Sequence, residues 1–188
     1  RAKRFVLASS AHAYNISPLY LPTDERAPLS VFDVYTTSKL LSERLCDLFW
    51  ENYGLSYAVL RLFNGFGPGQ QKGYFIPDKL QQAQAGDFEL RGAKTTKDWV
   101  FIDDVVRAYT LAVESSFVGA INVGTGIETD LGTIGNQIAE DFGVRISEHE
   151  CAFDACEGFL ETGGVCVCRG EIACDDRVAR RADVAVSG

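Results

Sequence analysis

Short apolar runs alternate with amphipathic stretches over the first 142 residues. The runs are too brief for helices and read as buried strands. Residues 4–9, Arg-Phe-Val-Leu-Ala-Ser, form the first, residues 57–63, Tyr-Ala-Val-Leu-Arg-Leu-Phe, the second, and residues 120–123 the third. Between the first two lies a polar loop with Pro18, Pro22 and Pro28. Leu41, Leu45, Leu48 and Phe49 then recur as i, i+4, i+7 and i+8. That period predicts a helix over about 34–53, capped by Asp33 and ended by Gly54. Pro77 fits the first turn of a helix to about Ala85, closed by Gly86. Residues 88–101 read as one or two extended segments. Asp103 or Asp104 is expected to cap a helix over 105–114. Thr129 or Asp130 is expected to cap another that reaches about Phe142 and stops at Gly143.

Buried strands alternating with helices imply a parallel α/β sheet. Ligands of such sheets sit beyond the carboxyl ends of the strands. Ser10, Asn64 and Gly124 all fall at those ends. Gly124-Thr-Gly126 lacks a third glycine at dinucleotide-loop spacing, so it reads as a tight turn rather than a phosphate cradle.

The chain has 188 residues and is 46% hydrophobic, enough for one domain, or one with a small appendage. It has no apolar run of the roughly 18 residues that would suggest a membrane span, and the start of the chain does not read as a signal peptide. The net charge of −8 argues against nucleic acid, which favours a basic face; it leaves room for a local positive pocket that takes a nucleotide diphosphate. Of six cysteines, Cys46 stands alone on a predicted helix. Cys151, Cys156, Cys166, Cys168 and Cys174 crowd the end without a convincing zinc spacing. They read as reduced thiols, no metal is expected, and a cytoplasmic location follows.

The chemistry centres on Tyr35 and Lys39. At i and i+4 they share one helical face, where an ammonium favours the phenolate. Lowering a phenol from about 10 to about 7 takes about 4 kcal/mol. One charge at about 4 Å supplies on the order of 1–4 kcal/mol. Lysine alone is borderline, and a second positive group, such as an oxidised nicotinamide, would complete the shift. A Ser10 hydroxyl could share the substrate proton. The triplet makes sense as a base for oxidising a secondary alcohol. Tyr-x-x-x-Lys by itself is weak, and its context gives it weight. His12 reads as a loop or pocket-wall residue, and Asp104 as a helix cap rather than a catalyst.

The context is a set of motifs in order: Ser9-Ser10-Ala-His-Ala-Tyr14, Pro22-Thr-Asp-Glu25, Tyr35-x-x-x-Lys39, Arg61-Leu-Phe-Asn64, Gly67-Pro-Gly-Gln70, Lys97-Asp98-Trp99, Asp103-Asp104-Val and Asn122-Val-Gly-Thr-Gly126. Over residues 4–142 the chain resembles the extended short-chain dehydrogenase/reductases, the NAD-dependent nucleotide-sugar epimerases and dehydratases. The resemblance implies a Rossmann-like parallel sheet with a small C-terminal substrate-binding lobe. Residues 1–63 and 101–126 would form the cofactor half, and 64–100 and 127–188 the lobe. It implies NAD or NADP as cofactor and a nucleotide-diphosphate sugar as substrate. Tyr35 would be the catalytic base, Lys39 would bind the nicotinamide ribose, and Ser10 would hold the reacting hydroxyl. Leu62 and Phe63 would line the cofactor, while Asn64 and Lys97 would contact the substrate. A homodimer is implied too, built as a four-helix bundle from the Tyr-Lys helix and the next helix.

Departures refine the expectation. The chain begins where the family's fifth strand would stand, without the glycine-rich pyrophosphate loop. It therefore reads as a partial Rossmann fold whose glycine-rich half is missing, with weak or no NAD binding alone. Lys97 replaces a usual arginine, a point charge in place of a fork, and the tail from about Arg145 diverges. Where 4,6-dehydratases carry an Asp-Glu pair, this chain has Ala11 and His12, so dehydration ranks low. A nucleotide-sugar 4-epimerase is preferred. The alternatives are a GDP- or dTDP-keto-deoxysugar reductase, or a truncated, non-catalytic family member.

Overall fold

A computed structural model describes residues 2–14 and 20–149; the five C-terminal cysteines and the divergent tail lie outside them. The strands are β1 (Arg4–Ser10), β2 (Ser56–Leu62), β3 (Asn64–Phe66), β4 (Phe88–Arg91), β5 (Thr96–Phe101), β6 (Gly119–Val123), β7 (Glu128–Asp130) and β8 (Ile146–His149). The helices are α1 (Val34–Tyr53), α2 (Phe75–Ala85), α3 (Ile102–Glu114) and α4 (Leu131–Phe142), with a 3₁₀ turn at Ala11–Ala13.

β1, β2 and β6 form a parallel sheet in the order β1-β2-β6. Alternate side chains of β2 point to opposite faces, as a strand requires. Tyr57 and Val59 pack with Cys46 of α1 on one face. Ala58 and Leu60 pack with Ala108 and Ala112 of α3 on the other. The two helices therefore cover opposite sides of the sheet. A second sheet orders β3-β5-β7, parallel then antiparallel, and β4 pairs with β8 in parallel. Phe88 and Leu90 of β4, Ala83 of α2 and Ile138 of α4 close a separate apolar core there.

Helix ends follow local chemistry. The Asp33 carboxylate accepts the Thr36 N–H, and Gly54 closes α1 in the left-handed region, where a Cβ would be strained. Asp130 caps α4 through Thr133 N–H. The start of α3 differs from expectation: Phe101 is the cap residue and makes no side-chain cap bond. Asp103 and Asp104 instead lie in the first turn, where their charge complements the helix dipole.

α1 is turned inside out relative to a usual surface helix. Thr36, Glu43 and Cys46 are buried, while Leu41 and Leu45 are 62% and 55% exposed. The leucine period thus marks the outward side. The next helix offers no matching stripe, because Phe75 and Leu80 of α2 pack inward against the Phe88–Leu90 core.

Candidate functional site

The site gathers at the carboxyl ends of β1 and β2. Ser10 closes β1, and its Oγ accepts the His12 backbone N–H at 3.2 Å, which folds the 3₁₀ turn back over the strand end. Asp33 starts α1 just before Tyr35, so the phenol sits in the first turn and remains 47% exposed. One turn on, Lys39 Nζ lies 5.4 Å from the Tyr35 ring centroid and donates to the Ala8 carbonyl at 3.0 Å. That bond ties the ammonium to β1 and holds it beside the phenol. The His12 ring meets Tyr35 edge-on, with centroids 6.0 Å apart and planes at 83°. Ser10, Tyr35 and Lys39 are thus linked through β1 and the His12 turn.

The other candidates lie on neighbouring strands. Asn64 opens β3, and its Nδ2 donates to the Asp98 carbonyl on β5 at 3.0 Å. Lys97, half-buried on β5, is held below the ordinary lysine range by burial. It lies close enough to His12 to act on its charge. Leu62 is half-buried at the end of β2 beside the α3 cluster. The Phe63 side chain packs into a small core with Tyr14 and Ala27.

A buried polar chain beneath the site went unread in the sequence. Arg61 on β2 grips Glu43 on α1, Nη2 to Oε2 at 2.7 Å, with side chains only 5% and 9% exposed. Ser9 donates to the same carboxylate. Arg61 Nη1 donates to the Tyr14 hydroxyl at 3.0 Å, which donates to Asn122 Oδ1 at 2.6 Å. Asn122 in turn donates its N–H to Glu25 at 2.8 Å and its Nδ2 to the Thr23 carbonyl. Burial pushes the Tyr14 phenol up to about 12, so it stays protonated and donates. These bonds tie Tyr14, Thr23 and Glu25 to Arg61 of β2 and Asn122 of β6. A signal was present: an arginine inside an apolar strand is almost never fully buried unless paired.

Asp98 is a further residue whose role went unread. Its fully buried carboxylate accepts from Thr125 N–H at 2.9 Å, Thr125 Oγ1 at 2.7 Å and Gly126 N–H at 2.9 Å. A Cβ on Gly124 would stand 2.5 Å from Asp98 Oδ2. The Gly124–Gly126 turn is therefore a clasp around a carboxylate, and its glycines admit that close approach. Burial raises the Asp98 carboxyl above its usual range, against the pull of these donors. Among the described residues no group of three or more His, Cys, Asp or Glu gathers to hold a metal, and no helix is long and apolar enough to cross a membrane.

A parallel sheet covered by helices on both faces, with Ser10 at its carboxyl edge and Tyr35 and Lys39 on the helix beside it, defines an α/β protein of Rossmann-like fold. The chain matches the NAD dependent epimerase/dehydratase family over residues 1–124, and it belongs to that family. It is 33% identical over 149 residues to a putative UDP-glucose 4-epimerase of Methanocaldococcus jannaschii, covering 76% of this chain and 48% of that protein. It is 28% identical over 170 residues to UDP-glucose 4-epimerase 4 of Oryza sativa subsp. japonica, covering 77% and 46%. The solved UDP-glucose 4-epimerase of Thermotoga maritima with UDP-glucose superposes with a TM-score of 0.78 at 25% identity, covering 90% of this chain and 55% of that one. The chain spans about half the length of the curated relatives it matches.

Proposed function

We propose that this chain contributes the catalytic part of an NAD(P)-dependent nucleotide-sugar 4-epimerase. The observation that carries the reading is Lys39 Nζ at 5.4 Å from the Tyr35 ring centroid, with Ser10 at the adjoining strand end. Tyr35 takes the proton of a sugar hydroxyl as general base, work worth about 10²–10⁴ in rate. Ser10 shares that hydroxyl's hydrogen bond and orients it. A bound nicotinamide supplies the hydride acceptor.

The donor set fits the nicotinamide-ribose end of that cofactor. Lys39 offers an ammonium to ribose hydroxyls, and the backbone around Leu62 and Phe63 lies at the same strand end. The sequence holds no Gly-x-Gly-x-x-Gly for the pyrophosphate, so no residue is assigned to that part. Asn64 and Lys97 contact the substrate's diphosphate in this reading; a half-buried cation on β5 supports it. Residues 1–63 and 101–126 form the cofactor half, and the segments of β3–β5 and β7–β8 belong to the substrate lobe. A homodimer belongs to the same reading, supported by the exposed leucines of α1.

The test is to incubate the full-length protein with NAD and UDP-galactose or UDP-glucose and follow their interconversion by proton NMR. Interconversion is expected. Oxidation of NAD(P)H by a nucleotide keto-deoxysugar, without interconversion, would favour the reductase alternative, and the absence of both reactions would overturn the catalytic assignment.

A further inference from the structure

Tyr35, Lys39 and Glu43 recur every four residues on α1, so they form one row along a single helical face. Tyr35 stands exposed at the cleft, and Lys39 is tied to the Ala8 carbonyl of β1 at 3.0 Å. Glu43 is buried, and its carboxylate meets two strands at once. Ser9 of β1 and Arg61 of β2 are register partners across the parallel sheet, and both grip it. Ser9 Oγ donates to Glu43 Oε1, while Arg61 donates through Nε to Oε1 at 3.2 Å and through Nη2 to Oε2 at 2.7 Å. Farther along the row the Tyr57 hydroxyl donates to Asp47, a half-buried contact one turn more distant from the cleft.

We propose that Glu43 is a positioning residue for the reaction: gripped by Ser9 and Arg61, its carboxylate fixes the rotation of α1 on the sheet, and with it the place of the Tyr35 phenol beside Lys39 and Ser10. This rests on the reading that Tyr35 is the general base.

Glu43 lies eight residues from Tyr35, about 12 Å along the axis at about 1.5 Å per residue, too far to touch a sugar hydroxyl held there. Its influence is exerted through the helix. Side chains of the row reach about 5–6 Å from the axis, so a rotation of about 10° carries a tip through about 1 Å. A misplacement of about 1 Å can cost about a hundredfold in rate. Exposed Leu41 and Leu45 on the outward flank give α1 no hold on the sheet. The two grips do: Ser9 holds the carboxylate toward β1 and Arg61 toward β2, so neither sense of rotation is free. Ser9 also directly precedes Ser10, so its bond to Glu43 joins the row to the strand end that carries the candidate serine. A buried ion pair stabilises a fold no better than well-packed apolar residues of the same size; fixing geometry is a task that an apolar residue would not perform.

The experiment measures initial rates of the full-length protein with NAD and UDP-galactose, or with NADPH and a nucleotide keto-deoxysugar where that is the reaction the parent protein catalyses. Rates are divided by the concentration of folded protein, read by circular dichroism. Glu43→Asp keeps the charge and shortens the arm by one methylene. Its kcat is expected to fall about tenfold or more, with KM changed less than about threefold, as for a reacting group moved out of line. In a Tyr35→Phe background the same substitution is expected to cost nothing further, because no phenol oxygen remains to be misplaced; a role confined to folding lowers both backgrounds alike. Ser9→Ala removes one grip and leaves the ion pair. It is expected to show the same pattern with a smaller loss, and it decides the matter alone if Glu43→Asp does not fold. Equal losses in the two backgrounds, a rise in KM at constant kcat, or variants that turn over like the parent overturn this inference alone. A parent protein that catalyses neither reaction overturns the reading of Tyr35 as base, and this inference with it.

Discussion

Arg61 of β2 and Glu43 of α1 form a buried ion pair at 2.7 Å, directly beneath the strand end that carries Ser10. Arg61 Nε donates to Glu43 Oε1 at 3.2 Å and Nη2 to Oε2 at 2.7 Å, the forked geometry that makes such pairs directional. Removing one partner strands the other charge out of water. Glu43→Ala or Arg61→Ala should therefore cost about 3–5 kcal/mol, read as a fall in urea midpoint. A loss below about 1 kcal/mol would mean the pair behaves as a surface contact.

Tyr35→Phe removes one oxygen from an exposed site and leaves the ring that touches His12. Folding should be unchanged, while turnover of the full-length protein should fall at least about 100-fold, the lower end for a lost general base. Steady-state kinetics with the sugar nucleotide decide this. Retained turnover removes the role assigned to Tyr35.

Asp98→Asn keeps the shape of the side chain but replaces one acceptor by a donor facing the Thr125 or Gly126 N–H. A buried polar group left without a partner costs about 1–3 kcal/mol, and the melting temperature should drop accordingly. Gly124→Ala should be at least as damaging, since its Cβ would meet Asp98 Oδ2 at 2.5 Å and Phe63 at 3.2 Å. If both variants melt like the parent protein, the clasp is not formed in solution.

Asp130 caps α4, and its carboxyl is held below the ordinary range by the hydroxyl and N–H of Thr133. A carboxyl with a lowered folded-state value adds stability that is present above its ordinary value, near 4. That stability is lost as pH falls through the lowered value. Asp130→Ala should cost about 1 kcal/mol at neutral pH, the usual worth of a cap, and the gap to the parent should narrow on acidification. A gap that stays constant with pH, followed by circular dichroism, would show that the carboxylate charge is not what caps the helix.

Much of the architecture was legible in the residues, and the reasons are local. Asp33 and Gly54 bound α1, and Asp130 and Gly143 bound α4, because caps and left-handed glycines act within a few residues of one another. The short strands β3 and β7 were not legible: three residues carry no period, and pairing with β5 is what makes each extended. The first turn of α3 was misassigned because an aspartate near a helix start suits both a cap and a first-turn position; here Phe101 takes the cap. In the candidate site, Tyr35 and Lys39 were readable because a helix fixes their spacing. Glu43, Arg61 and Asn122 were not, since their contacts span β2, α1 and β6 and depend on which faces meet.

The inverted packing of α1 separates two jobs that one helix ordinarily combines. Its seat on the sheet depends on Thr36, Glu43 and Cys46, so Leu41 and Leu45 can be changed without disturbing that seat. Those leucines are thus a ready-made gauge. A lysine introduced at either should leave the isolated fold unharmed and register only when something else in the cell rests on that flank.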